Sequence, residues 1–116
     1  MADYADWRTY TATYRYWFLS KPGDSSSIQS VGGNYMFVRC ANNLWHAVYV
    51  GIADDLSQRI PTHERWAEAA RLGATHVVAH KQTDVRLREA EEKDLIRCLN
   101  PPLNVQHRSG RSSLLG

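Results

Sequence analysis

The sequence predicts a single small domain of the α/β class, and three observations carry that expectation. A chain of 116 residues has room for one core. Stretches of period-two alternation and of β-branched and aromatic residues mark strands, and stretches at the helical period lie between and after them. Composition excludes the other broad classes: hydrophobic residues make up 43% of the chain and charged ones 22%, which is ordinary globular usage. The longest apolar runs, such as Ala47 to Gly51, fall far short of the about 20 residues a bilayer span needs. Asp3, Tyr4, Asp6 and Arg8 interrupt any signal-peptide pattern, so a cytoplasmic protein without a membrane partner is expected.

Thr9 to Leu19 carries Tyr10, Tyr14, Tyr16 and Phe18 with threonines between them, a period-two pattern that reads as one strand. Seven of the twelve aromatic residues lie between Tyr4 and Leu19; exposed rings in that number call for packing on the domain or for a place in a nucleic-acid surface. Ser20 to Gly33 is rich in Ser and Gly and reads as a loop. Asn34 to Cys40 and His46 to Val50 then form a hairpin, bridged by Ala41 to Leu44.

Asp54 can cap a short helix that Pro61 breaks after Ile60, and Thr62 can cap a second one ending near Gly73. Thr75 to His80 is the next strand, with Thr75, Val77 and Ala79 on one face and His76, Val78 and His80 on the other. His76 and His80 would stand roughly 13 Å apart along that strand, too far to share a zinc ion. Cys40 and Cys98 are isolated, which indicates neither a zinc site nor a disulfide framework, and Cys98 is expected in the core.

The longest helical pattern runs from Asp84 to Leu99, where Asn100-Pro101-Pro102 stops it. Val85, Leu95, Ile96 and Leu99 all fall within about 60° of Glu92 on a helical wheel, so the apolar stripe is centred on a carboxylate. An unpaired buried carboxylate costs several kcal/mol, roughly, so Glu92 needs an ion pair with Arg88 one turn back, a bound cation, or a cleft. The net charge of +2 argues neither for nor against nucleic acid and confines any phosphate-binding surface to a local patch.

Several of these features form one ordered pattern: Gly33-Asn34-Tyr35 on a first strand, Tyr49-Val50-Gly51 on a second, Arg59, His63 four residues later, Glu92 on a helix, and Asn104 twelve residues beyond it. The pattern resembles the GIY-YIG nuclease domain over about Gly33 to Asn104. The resemblance implies a small central antiparallel sheet flanked by helices. It divides the chain into an N-terminal aromatic extension (1–33), a catalytic domain (34–104) and a flexible tail (105–116). It implies an endonuclease that hydrolyses a phosphodiester bond in DNA by activated water, in repair, restriction or mobile-element biology.

On that resemblance Tyr35, Tyr49, Arg59, His63 and Glu92 are the catalytic set, and Gly51 and Asn104 support it. Glu92 holds one Mg²⁺, for which Mn²⁺ can substitute. The residues read alone are compatible. Mg²⁺ is commonly held by one or two carboxylates plus substrate phosphate oxygens, and an arginine fork suits the charge that develops on phosphate oxygens. Tyr35 is assigned as the base and Tyr49 as its hydrogen-bonding neighbour; a phenol with an ordinary pKa of about 10 needs a nearby cation for that work. His63 could hydrogen-bond the phosphate or shuttle a proton, and Asn104 would tie the segment after the helix to the site. Outside the pattern, Arg59 would read as a surface arginine, the tyrosines as half-buried strand residues, and His63 as a helix-cap or surface histidine. Two departures stand out: Asn34 replaces an apolar residue, and Ile52 stands where several members carry lysine. The extra length between the two motifs would be absorbed by a wide turn at Asn42-Asn43. The alternative from another class is a nucleic-acid-binding module that has kept the fold without turnover.

Overall fold

The structure, a computed structural model, describes residues 3–19 and 28–104. Part of the loop expected at Ser20 to Gly33, and the tail from 105 to 116, lie outside the described residues. Five strands form one antiparallel sheet in the order β1-β2-β5-β3-β4: β1 Tyr4–Arg8, β2 Thr13–Leu19, β3 Gly33–Ala41, β4 Leu44–Ala53 and β5 His76–Lys81. Among the described residues the sheet is accompanied by the helices α1 Leu56–Arg59, α2 Trp66–Arg71 and α3 Val85–Leu99. The fold is therefore a small α+β domain. None of the helices described is long and apolar enough to cross a membrane.

The sheet separates two apolar layers. Alternation along β5 sends Val77 and Ala79 to one side, with Tyr35, Phe37 and Val48 and with Leu56, Ile60 and Ala69 from around α1 and α2. Val78 goes to the other side, with Trp7, Tyr16, Met36, Val38, Val50 and Leu95 of α3.

The N-terminal aromatic stretch is two strands rather than one. Thr9 turns the chain: its Oγ1 accepts from the backbone N–H groups of Thr11 and Ala12, at 3.2 and 3.1 Å. Tyr10 at this turn is exposed, whereas Tyr14 and Tyr16 pack toward α3. Because β2 pairs with β5, the N-terminal residues extend the same sheet that carries the motif strands.

The β3–β4 connection is tight, not wide. Asn42 and Asn43 take φ of 54° and 64°, the left-handed pair a two-residue hairpin turn requires. The β3–β4 ladder also carries a bulge on β4, where Phe37 pairs with Tyr49 but Val38 pairs with Ala47, leaving Val48 between them. The bulge turns both Val48 and Tyr49 toward the α1–α2 side, beside Phe37.

The helix starts differ from expectation by one to three residues. Asp55, not Asp54, caps α1, accepting from Ser57 N–H at 3.0 Å, while Asp54 pairs with Arg88. Thr62 caps no helix; its hydroxyl donates to the Gln58 carbonyl, and α2 begins at Trp66 with no side-chain cap. Cys98 is only half-buried, against its expected place in the core.

Candidate active site

Tyr35 and Tyr49 come from adjacent strands, with ring centroids 6.2 Å apart. Gly51 is the register partner of Tyr35, and a Cβ there would lie 2.5 Å from the Tyr35 hydroxyl and Cζ. The tyrosine ring crosses β4 at the only residue type that leaves it space, which gives the Tyr-x-Gly spacing of β4 a steric reason.

His63, in the turn after α1, brings Nε2 within 2.7 Å of the Tyr35 hydroxyl, and both residues are buried. The His63 Nδ1 accepts from the Arg65 backbone N–H at 3.0 Å. A neutral ring that accepts at Nδ1 carries its hydrogen on Nε2, so His63 donates to the Tyr35 oxygen. Burial, followed by the Arg59 charge, pushes the His63 pKa down to about 4, which keeps the ring neutral at ordinary pH.

Burial raises both phenols above their ordinary value; Arg59 opposes the shift at Tyr35, and Arg59 and Arg65 oppose it at Tyr49. The Arg65 guanidinium lies 5.7 Å from the centre of the Tyr49 ring. Arg65 therefore supplies a second cation beside the tyrosines, despite the absence of lysine at Ile52. The sequence carried its signal only as a basic residue two places after His63.

Arg59, at the C-terminus of α1, presents both terminal nitrogens to Glu64, at 2.7 and 2.9 Å. That pair holds the Glu64 carboxyl down at about 2 and raises Arg59 further.

Glu92 is half-buried rather than central to the buried face of α3, which consists of Arg88, Glu91, Asp94 and Leu95. Val85, counted in the expected apolar stripe, is 53% exposed. Polar residues hold the inner face because the sheet offers them partners. The ion pair with Arg88 is not formed either: Arg88 donates to the Ala53 carbonyl and to Asp54. Among the described residues the Glu92 side chain has no hydrogen bond or ion pair. Burial, and then the nearby Glu89, raise its pKa, and its charge opposes ionisation of Tyr49.

Asn104 closes the arrangement on β4. Its Oδ1 accepts from Val50 N–H at 2.8 Å and its Nδ2 donates to Val50 C=O at 3.0 Å, so the carboxamide pairs with this edge strand as a neighbouring strand would. The segment after α3 is thereby anchored next to Tyr49. Tyr35, Tyr49, Arg59 and His63 thus share one neighbourhood, whereas Glu92, on α3 against the opposite layer, acts on Tyr49 through its charge alone. Among the described residues no group of three or more His, Cys, Asp or Glu converges as a metal cage. No protein-family model, curated protein or solved structure gives a significant match to the chain.

Proposed function

We propose that this chain is a GIY-YIG-type, metal-dependent endonuclease that hydrolyses a phosphodiester bond in DNA. The observation that carries the reading is the convergence of Tyr35, Tyr49, Arg59 and His63, spread over 29 positions (35 to 63), with Gly51 and Asn104 serving the same strands and the charge of Glu92 acting on Tyr49. Glu92 adds a half-buried carboxylate whose side chain has no partner among the described residues and whose charge acts on Tyr49, the kind of group that marks a functional site.

The residues fit a single Mg²⁺ or Mn²⁺. Glu92 offers a hard oxygen ligand with no competing partner among the described residues, and one carboxylate suffices when water and phosphate oxygens complete the shell. Such an ion, when bound, would stabilise charge on the scissile phosphate and the leaving oxygen. Arg59 would bind a non-bridging phosphate oxygen, exchanging Glu64 for phosphate. Tyr35 would orient or deprotonate the attacking water, with His63 donating to its oxygen and so favouring the phenolate. Arg65 would favour ionisation at Tyr49 through its charge.

Two observations favour a second reading, nucleic-acid binding without turnover: burial raises both phenols, and Glu64 fills the Arg59 fork. A screen of linear, nicked, flapped and branched DNA, with Mg²⁺ or Mn²⁺ against EDTA, separates the two. Metal-dependent cleavage of any of them supports the nuclease. Binding to all with cleavage of none replaces it with the binding module.

A further inference from the structure

We propose that the N-terminal hairpin β1–β2 is a positioning device for Glu92, gripping α3 through Glu91 and Asp94 and so setting the direction in which Glu92 faces; this rests on the metal-dependent nuclease reading above. Glu91 is 5% exposed. It accepts from the Tyr16 hydroxyl of β2, and His80 Nε2 of β5 lies 2.7 Å from the same oxygen. One turn along the helix, Asp94 Oδ2 accepts from three hairpin hydroxyls: Thr9 at 2.6 Å, Tyr14 at 2.8 Å and Thr11 at 3.0 Å. Tyr14 and Tyr16 remain donors through the working pH range, because burial and these carboxylates push their phenols up, Tyr14 to about 12.

A leucine pair at positions 91 and 94 would attach the hairpin to the helix just as firmly, so attachment alone does not explain carboxylates there. Apolar packing is non-directional, whereas hydrogen bonds weaken steeply off axis. Two such grips one turn apart fix both the rotation and the translation of α3. Glu92 lies about 100° round the helix from Glu91, so any rotation of α3 would turn its carboxylate by the same angle. Apolar anchors do not supply that restraint in the first half of the helix, where Val85 and Leu87 are both more than half exposed. The fully buried apolar anchor, Leu95, comes after Glu92.

The test uses the full chain and Mn²⁺ as probe, comparing Tyr16→Phe and the double variant Thr11→Ala/Tyr14→Phe with Asp6→Ala. The Asp6 control breaks an ion pair with Arg15, at 3.0 Å, on the hairpin face turned away from α3. Mn²⁺ binding is read by electron paramagnetic resonance, alongside the Mn²⁺ dependence of plasmid nicking and a melting curve. Both α3-facing variants should need at least about tenfold more Mn²⁺, the lower end of the loss when outer-shell support of a metal ligand is removed. Nicking at saturating Mn²⁺ should largely recover, and Asp6→Ala should match the wild type. Thr11 and Tyr14 are only partly covered, so their double variant carries the test if Tyr16→Phe fails to fold. An active wild type with unshifted Mn²⁺ dependence in the α3-facing variants, or an equal shift in Asp6→Ala, overturns the positioning role alone. A wild type that binds no Mn²⁺ and cuts no DNA overturns the nuclease reading, and this proposal with it.

Discussion

Glu64 holds both terminal nitrogens of Arg59, so the fork that would take a phosphate is engaged by a carboxylate five residues away. The Arg59 side chain is 37% exposed and that of Glu64 is 65%, and an exposed ion pair contributes at most about 1 kcal/mol. Phosphate can therefore displace Glu64 at little cost. Glu64→Ala should tighten DNA binding by no more than about fivefold, the equivalent of that energy. Arg59→Ala should slow cleavage by at least about a hundredfold with little change in melting temperature. A large fall in stability without a kinetic effect would make Arg59 structural.

Gly51→Ala tests whether the Tyr35 ring must cross β4 where it does. The new Cβ would meet Tyr35 Cζ and OH at 2.5 Å, and the buried ring has little room to yield. Overpacking of this kind costs about 1–3 kcal/mol, and it would also part Tyr35 from His63. Both melting temperature and nicking rate should fall. Retention of full activity would show that the Tyr35 position is not critical.

Tyr35→Phe removes only a hydroxyl, but that hydroxyl is buried and accepts from His63. The variant should lose about 1–3 kcal/mol, because the His63 Nε2–H is left unsatisfied, and cleavage should slow. Stability and rate measured together distinguish the effects. Full activity would remove Tyr35 from the mechanism and promote Tyr49.

Local patterns revealed most elements because periodicity is a property of neighbouring residues: α3 from its start near Asp84 to its stop at Asn100, and β5 with its two faces, were legible. The turn at Thr9 was not, since it contains neither glycine nor proline and is made by one threonine hydroxyl. The inner face of α3 was hidden for a related reason. A helical wheel that counts apolar residues cannot register Arg88, Glu91 and Asp94 as buried when partners distant in sequence satisfy them. The spacings singled out the residues now found around Tyr35, whereas Arg65 and the Tyr16–Glu91–His80 contacts needed the third dimension.

His63 makes stability depend on pH with a definite sign. Its folded pKa of about 4 lies below the ordinary value near 6.5, so between those values the unfolded chain binds a proton that the folded chain refuses. This contribution is fully present above about pH 6.5 and is lost as pH falls toward 4. Glu92 acts oppositely, since its raised pKa favours the folded state toward low pH, and lowered carboxyls such as Asp94 add to the loss only in more acid solution. Urea melts at pH 5 and 7 should show lower stability at pH 5, and His63→Asn should flatten the difference. An equal slope in both proteins would show that His63 titrates normally.

Glu92→Gln is the decisive substitution because the two roles open to a half-buried carboxylate predict opposite results. As the metal ligand, Glu92 should be indispensable: the variant should lose metal-dependent cleavage while DNA binding persists or tightens, since a negative charge facing phosphate has gone. Stability in metal-free buffer should hold or rise, because burial and Glu89 disfavour the ionised carboxylate that Gln replaces. The fold supplies no reason for a loss. Arg88 pairs with Asp54 and donates to the Ala53 carbonyl rather than to Glu92, so removing the Glu92 charge strands no cation. A structural Glu92 would instead give a lower melting temperature with residual cleavage. Melting curves and plasmid nicking run side by side on this variant decide between them, and nicking at the wild-type rate would refute the metal-ligand assignment outright.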